Sequence, residues 1–245
     1  MSVRIRPYNH QVAGAPAQTP AHSLSTVIFD LDGVLVDSFA VMREAFLIAY
    51  AEVVGDGQPP FEEYCEHLGR FFPEIMEIMG LPLAMEEPFV RESYRLAHRV
   101  QLYPGIQSTL RTLRERGLRL AVATGKRGAR ARSLLDQLGV ISMFEQVTGS
   151  DEVKRPKPAP DIVLRILDLL GVPPDEAIMI GDAVTDLASA RGAGVTAVAA
   201  LWGLADKSAL LAAGPDFALN EPADLLRYPP TISVSQAEHI WRPYQ

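Results

Sequence analysis

Polar side chains with catalytic potential follow apolar runs at four places in the sequence. The first place gives Asp30 and Asp32 in VIFDLDG, the second Thr124 in AVATGK, the third Lys157 in RPKPAPD, and the fourth Asp182 and Asp186 in IMIGDAVTD. Taken singly, each is common at a turn or at the start of a helix. Four such signals in one chain indicate a shared site that binds ions.

The carboxylates create a need for a cation. Residues two apart on an extended segment face the same side, so Asp30 and Asp32 are expected beside one cavity. If Asp182 joins them, two like charges about 4 Å apart repel by about 4 kcal/mol at an effective dielectric constant of 20. Oxygen ligands without a His or Cys cluster suit Mg²⁺, which shares its coordination with phosphate. Lys157 and the Thr124 hydroxyl would then form a cradle for an anion, assisted by nearby backbone N–H groups.

The elements that would position these groups alternate along the chain. Strands are predicted at 26–31, 118–123, 144–148, 177–180, 196–200 and 217–219, and helices include 106–116, 130–138, 160–170 and 186–191. This alternation is typical of an α/β fold with a doubly wound, mainly parallel sheet that helices cover on both faces. Ligands of such sheets bind beyond the carboxyl ends of the strands, where the four polar segments lie.

The interval after the first strand interrupts this alternation. About seventy residues before Pro104 show helical spacing and no convincing strand, which is more than one crossover helix requires. The sequence therefore predicts four parts: a flexible N-terminal tail (1–24), a core domain (25–37 and 104–228), an inserted helical cap domain (38–103) and a C-terminal tail (229–245).

Composition narrows the classes of partner. The 245 residues are 48% hydrophobic, which is enough for a large core, and the net charge is -7. No run of Lys and Arg offsets this charge, so nucleic acid is not expected as a partner. No stretch of about 18 apolar residues indicates a membrane span, and the single cysteine, Cys65, requires no oxidising compartment. We expect a cytoplasmic monomer or homodimer that binds a small molecule.

The four polar segments resemble the motifs of the haloacid dehalogenase superfamily of phosphotransferases. DLDGVLVDS, AVATGK, RPKPAPD and GDAVTD match these motifs in order, and the resemblance extends over residues 26–227. The inserted helices resemble the C1-type cap of the subgroup that holds phosphoglycolate phosphatases, sugar-phosphate phosphatases and β-phosphoglucomutases. The resemblance implies a Rossmann-like core and a Mg²⁺-dependent phosphatase that hydrolyses a small phosphorylated metabolite through an aspartyl-phosphate intermediate.

This resemblance also implies catalytic roles. Asp30 would be the nucleophile, and Asp32 would be the general acid and base, for which a raised pKa is expected. Lys157 would hold the nucleophile and the phosphate together. The Thr124 hydroxyl and the Gly125 N–H would orient the phosphate, although many relatives have asparagine in place of this glycine.

The implied metal site would include Asp30, the backbone carbonyl of Asp32, and Asp182, with Asp186 as a further ligand or as support for one. In LGRFF, the Leu-Gly pair resembles a cap loop that enters the active site of relatives. Arg70 is therefore the candidate for contacting the leaving group of the substrate.

Other reactions on the same scaffold have to be weighed. A β-phosphoglucomutase-type enzyme would pass the phosphoryl group to a sugar instead of water, and this alternative stays open. A non-catalytic binding protein would be expected to have lost catalytic positions, and all are present. The segment 38–103 has no lysine for the Schiff base of phosphonoacetaldehyde hydrolases. Metal-free haloacid dehalogenases lack the second aspartate, which is Asp32 here.

Two further segments indicate a narrower relationship. SFAVMREAF and LASARGAGVTAVAALWG resemble phosphatases of 3-amino-5-hydroxybenzoate biosynthesis. This likeness implies a phosphorylated or nucleotide-linked amino sugar, or a related cyclic precursor, as the substrate.

Overall fold

A computed structural model describes residues 23–227 of the chain. The predicted C-terminal tail and all but two residues of the predicted N-terminal tail lie outside this range. The strands are β1 (Thr26–Phe29), β2 (Val36–Asp37), β3 (Gln101–Leu102), β4 (Arg119–Thr124), β5 (Gln146–Gly149), β6 (Ala177–Gly181), β7 (Thr196–Ala200) and β8 (Phe217–Leu219). The helices are α1 (Phe39–Val53), α2 (Phe61–Glu66), α3 (Phe72–Ile78), α4 (Glu86–Arg95), α5 (Ile106–Glu115), α6 (Gly128–Gln137), α7 (Asp161–Leu170), α8 (Val184–Gly192) and α9 (Lys207–Ala212).

Six strands form one parallel sheet in the order β5-β4-β1-β6-β7-β8. The chain builds outward from β1 on one side and then returns to build on the other, so the strand order reverses beside β1. A crevice is expected at this switch point, beyond the carboxyl ends of the strands. Phe29 near the end of β1 pairs with Val122 of β4 and with Ile180 of β6. The residues that follow these three strands therefore arrive at one place, and the predicted α/β fold is confirmed.

Each face of this sheet has its own apolar cluster, which explains why its central strands are continuous hydrophobic runs. Val27 and Phe29 of β1 point into one cluster, while Ile28 points into the other. All four residues of β1 are buried. Strands covered on both faces have no solvent side that would favour polar residues. Within residues 23–227, none of the helices has the length and apolar character needed to cross a bilayer.

The four helices between β2 and β3 pack around a separate aromatic cluster. Phe46 and Phe61 contact Tyr64 with ring centroids 4.8 and 5.8 Å away, and Phe72 stacks on Phe89 at 4.2 Å. These rings are buried against aliphatic residues of α1 and α3. The inserted segment thus has an apolar core of its own, as an inserted domain would need.

The connections into and out of this segment pair with each other. β2 and β3 form a two-residue antiparallel ladder in which Val36 faces Leu102 and Asp37 faces Gln101. The expectation of no strand between β1 and Pro104 was therefore wrong. Strands this short leave no detectable alternation in the sequence, because the ladder depends on two segments about 65 positions apart meeting in space.

Candidate active site

Lys157 lies at the centre of a buried ion-pair cluster. Its Nζ donates to Asp30 Oδ1 at 2.8 Å, to Asp186 Oδ1 at 2.6 Å and to the Ala123 carbonyl at 3.1 Å. The side chain is 0% exposed. Burial lowers the pKa of Lys157, but the two carboxylates outweigh burial and hold this pKa above its usual value. An ammonium group has three donors, and all three are used, so Lys157 is a fixed positive charge beside Asp30.

Three buried carboxylates surround this charge. One oxygen from each of Asp30, Asp182 and Asp186 lies within 4.8 Å of the others. Burial raises the pKa of Asp30 to about 7, with neighbouring carboxylates adding to the shift and Lys157 opposing it. Burial, then Asp186 and Asp30, raise the pKa of Asp182 well above its ordinary value. The cluster has more negative than positive charge, and its oxygen donors fit a hard divalent cation.

Backbone groups fix the two carboxylates that follow β6. The Leu204 N–H donates to Asp182 Oδ2 at 2.7 Å, and the Ala183 N–H donates to Asp186 Oδ2 at 3.0 Å, at the start of α8. Gly33 comes close to the Asp182 carboxylate, where a Cβ would lie only 2.0 Å from Oδ2 and where φ is +78°. Glycine is required there because any side chain would displace the carboxylate.

Asp32 lies on the other side of the loop and has different partners. Lys126 Nζ and Ser38 Oγ both donate to its carboxylate. Burial raises the pKa of Asp32, but Lys126 and then Ser38 outweigh burial, so the pKa lies below its usual value. The expected raised pKa was therefore wrong for this arrangement, because the sequence analysis gave no role to Lys126. The Asp32 side chain does not belong to the group of three carboxylates, so its predicted metal contact stays with the backbone carbonyl.

Thr124 and Gly125 lie where β4 ends. Thr124 is buried, and its Oγ1 accepts from the Lys126 N–H at 3.1 Å, which leaves the hydroxyl proton available to donate. A Cβ on Gly125 would lie 2.7 Å from the Arg70 carbonyl oxygen and 2.9 Å from that of Gly69. The loop before α3 thus rests on Gly125, and this contact explains why no asparagine stands here.

A pocket of about 670 Å³, including the solvent at its mouth, lies between the core and the inserted helices. The core contributes Asp30, Asp32 and Asp182, and the loop before α3 contributes Arg70. Its other wall is largely apolar and includes Tyr64, Leu68, Phe71, Phe72, Ile75 and Phe89. The structure therefore places Arg70 in the pocket with the carboxylates, and its contact with a leaving group stays a prediction.

Three cations of this pocket and one hydroxyl were not predicted from the sequence. Lys126, Arg127 and Arg130 line the pocket, and Ser38 binds Asp32. Lys126 could have been found, since it follows Thr124 by two positions in a segment already expected at the site. Ser38 and Arg130 show no comparable signal, because a serine before a helix and an arginine within one are common surface residues.

The fold and this cluster define a class of protein: a parallel α/β protein with an inserted helical segment, and with carboxylates and a lysine gathered at the switch point of its sheet. The sequence profile described as "Haloacid dehalogenase-like hydrolase" matches residues 27–200. The chain belongs to this family.

Individual relatives narrow this class. A phosphoglycolate phosphatase from Rhodospirillum rubrum is 34% identical over 194 residues, covering 72% of this chain and 79% of the relative. A probable phosphatase IndB from Dickeya dadantii is 34% identical over 202 residues, covering 77% and 86%. The solved structure of a haloacid dehalogenase-like family hydrolase from Streptococcus pneumoniae superposes with a TM-score of 0.73 at 27% identity, covering 84% and 98%. The predicted family and the phosphatase class of hydrolase are confirmed.

Proposed function

We propose that this protein is a Mg²⁺-dependent phosphatase that transfers the phosphoryl group of a small phosphorylated metabolite to Asp30 and then to water. One observation carries the proposal: Asp30 Oδ1 is held 2.8 Å from a buried Lys157 beside two further carboxylates, at the edge of the pocket between the core and the inserted helices. A carboxylate can attack a phosphate dianion only where positive charge lies between the two. Lys157 supplies part of this charge and fixes the orientation of Asp30.

The donor set fits Mg²⁺, and the contacts of its carboxylates indicate which of them would coordinate the ion and which would support the others. Both oxygens of Asp186 have partners, Lys157 Nζ and the Ala183 N–H, so Asp186 supports the cluster more than it coordinates. Asp30 and Asp182 would hold the ion together with the Asp32 carbonyl. When bound, Mg²⁺ would neutralise charge on the phosphoryl oxygens.

Lys126 and Asp32 act on the leaving group. In the first step, the bond from Asp30 to phosphorus forms, the ester bond breaks, and Asp32 gives a proton to the leaving oxygen. The incoming phosphate competes for Lys126, which weakens the hold of this lysine on Asp32 and allows Asp32 to carry that proton. In the second step Asp32 takes a proton from water, which attacks phosphorus and releases phosphate from Asp30.

The substrate class follows from the pocket and the relatives. Phosphoglycolate is the substrate that the name of the relative from Rhodospirillum rubrum gives, and the pocket beneath the inserted helices combines carboxylates with cations that could hold a small anionic metabolite. A phosphorylated amino sugar or cyclic precursor remains the narrower prediction from the sequence. Hydrolysis is favoured over mutase chemistry because these relatives are named as phosphatases.

The test uses Asp30→Asn with Asp136→Asn as its control, because Asp136 is an exposed carboxylate on α6. Phosphate release is measured from phosphoglycolate, sugar phosphates, nucleotides and nucleotide sugars, with Mg²⁺ and after chelation. We expect the wild type and Asp136→Asn to require Mg²⁺ and Asp30→Asn to be at least about 10³-fold slower, since the nucleophile is lost.

Borohydride trapping identifies the intermediate. It reduces an aspartyl phosphate to homoserine, so mass spectrometry should find homoserine at position 30 in the wild type during turnover. Equal rates in Asp30→Asn and the wild type would overturn the proposal. Isomerised hexose phosphate without phosphate release would replace hydrolysis by mutase chemistry.

A further inference from the structure

Four cations line the pocket, and two of them, Lys126 and Arg127, have carboxylate partners, whereas Arg70 and Arg130 have no carboxylate within ion-pair distance among residues 23–227. Lys126 pairs with Asp32, and Arg127 pairs with Glu86 at 2.6 Å. Arg130, on the first turn of α6, lines the same pocket. Among residues 23–227, no carboxylate lies within ion-pair distance of Arg130 and no acceptor receives a hydrogen bond from it. The wall thus contains a guanidinium group without a counter-ion in the described part of the chain.

The position of this guanidinium is fixed by the inserted helices. Its central carbon lies 5.2 Å from the centroid of the Phe89 ring, which itself stacks on Phe72 at 4.2 Å. The cation therefore rests on an aromatic face, as arginine often does. Stacking occupies the flat face of a guanidinium and leaves the N–H groups at its edge free to donate.

The surroundings of Arg130 favour an anion. Burial lowers the pKa of Arg130, and only more distant charges such as Asp32 oppose this effect. Within the described residues, the one buried side-chain atom without a hydrogen-bond partner is Thr185 Oγ1, so no nitrogen of Arg130 is sealed away from the pocket and solvent. A partly desolvated cation that is reachable from the pocket gains most from an oxyanion supplied by a ligand.

We propose that Arg130 binds a carboxylate of the substrate, at the end of the molecule away from the phosphoryl group. The inference rests on the proposed phosphatase function and specifies its substrate class as phosphorylated carboxylic acids. The planar fork of arginine matches a carboxylate with two parallel hydrogen bonds. Phe72, Phe89 and their apolar neighbours exclude water from this contact, which strengthens it.

The experiment compares substrates that differ only in this carboxylate. Phosphoglycolate is paired with ethyl phosphate, and 4-carboxyphenyl phosphate with 4-methylphenyl phosphate, so that a short and a long spacing are both sampled. The readout is the ratio of kcat/KM within each pair. We expect the wild type to prefer the acid in at least one pair, and Arg130→Met to reduce that preference by about ten- to hundredfold, as for a lost charged hydrogen bond.

Two further variants separate binding from folding. Arg130→Lys keeps the charge without the fork and should retain an intermediate preference. Arg132→Gln removes another arginine of α6, which is outside the pocket lining and pairs with Glu152, so the preference should stay at the wild-type ratio. Thermal unfolding checks that each variant is folded.

The outcomes are distinguishable. If the wild type hydrolyses both members of each pair equally, or if Arg130→Met slows both equally, the inference is overturned and the phosphatase function stands. If the wild type hydrolyses no phosphate ester, the proposed function fails and the inference fails with it.

Discussion

The cluster around Lys157 and the pocket wall around Arg130 differ in whether their positive charge is paired with carboxylates. Every donor of Lys157 has an acceptor within 3.1 Å, and its carboxylate partners are nearly inaccessible. Arg130 stacks on an aromatic ring and has no carboxylate partner among residues 23–227. A paired and sealed charge has a fixed geometry, while an unpaired and accessible charge is available to a ligand.

The difference separates two tasks that enzymes must perform. Groups that take part in bond making have to be positioned before the substrate arrives, since their alignment provides much of the rate. Groups that select the substrate keep a charge or hydrogen-bond donors unpaired until the substrate arrives, and these groups then contribute affinity. In the proposed function, the strands of the core would hold the reacting groups, and the inserted helices with the start of α6 would select the substrate.

Breaking the paired region should have the largest effect. Lys157→Met leaves Asp30 and Asp186 buried without their cation, and loss of one partner of a buried pair costs about 3–5 kcal/mol of unfolding free energy. We also expect kcat to fall by about 10²–10³-fold, since charge stabilisation at the phosphate is lost. Denaturant unfolding and phosphate release measure the two effects.

The control for this variant comes from the same loop. Arg155 pairs with Asp161 at 2.7 Å but is largely exposed. Arg155→Gln should therefore leave kcat and the unfolding midpoint close to wild type. A comparable loss in both variants would mean that the loop, and not the buried charge, matters.

Disturbing the contact between the two regions should have a moderate effect. Gly125→Ala places a Cβ 2.7 Å from the Arg70 carbonyl, so the loop before α3 must move away from the phosphate site. We expect kcat/KM to fall by about tenfold because small displacements weaken alignment. The unfolding midpoint should hardly change, since the sheet is untouched. Unaltered kcat/KM would show that this loop does not close the site during turnover.

Charge on the outer surface of the inserted helices should matter least. Arg91 contacts Glu52 at 2.5 Å and Glu87 at 3.3 Å, yet its side chain is 44% exposed. Exposed pairs are screened by solvent and salt. Arg91→Gln should lower the unfolding midpoint by about 2 °C or less, with no change in the acid preference of the pocket. A change in that preference would show that the outer face of the inserted helices also influences substrate selection, which the separation of roles between Lys157 and Arg130 does not predict.

Much of the core could be predicted because its signals are local. β7 and β8 have the predicted bounds, and β1, β4 and β6 differ by one or two residues at their ends. Buried parallel strands read as apolar runs, and the runs of β1, β4 and β6 each end beside a polar candidate residue of the site. The approach of Asp30 and Asp182 followed from topology, since they come directly after β1 and β6, which are neighbours in the sheet, whereas Lys157 reaches them from the loop after the edge strand β5.

The contacts that tune the site could not be predicted in the same way. Lys126 reaches Asp32 across 94 positions of sequence, and Arg130 reaches Phe89 from another element. The contact of Arg130 with Phe89 depends on how the inserted helices pack against the core, and the contact of Lys126 with Asp32 depends on how two loops of the core meet; no periodicity encodes either. For this reason the lowered pKa of Asp32 was not predicted: burial and the neighbouring carboxylates alone favour a raised pKa, and the contact with Lys126 reverses the direction.

Because Val36–Asp37 pairs with Gln101–Leu102, the polypeptide leaves the core and returns to it at the same place. A two-residue turn could join β2 directly to β3, because antiparallel neighbouring strands are readily connected in that way. The inserted helices could therefore be exchanged for another segment, by recombination or by design, without a change in the order of the sheet strands. Such an exchange would alter the wall of the pocket and leave the candidate catalytic residues of the core in place.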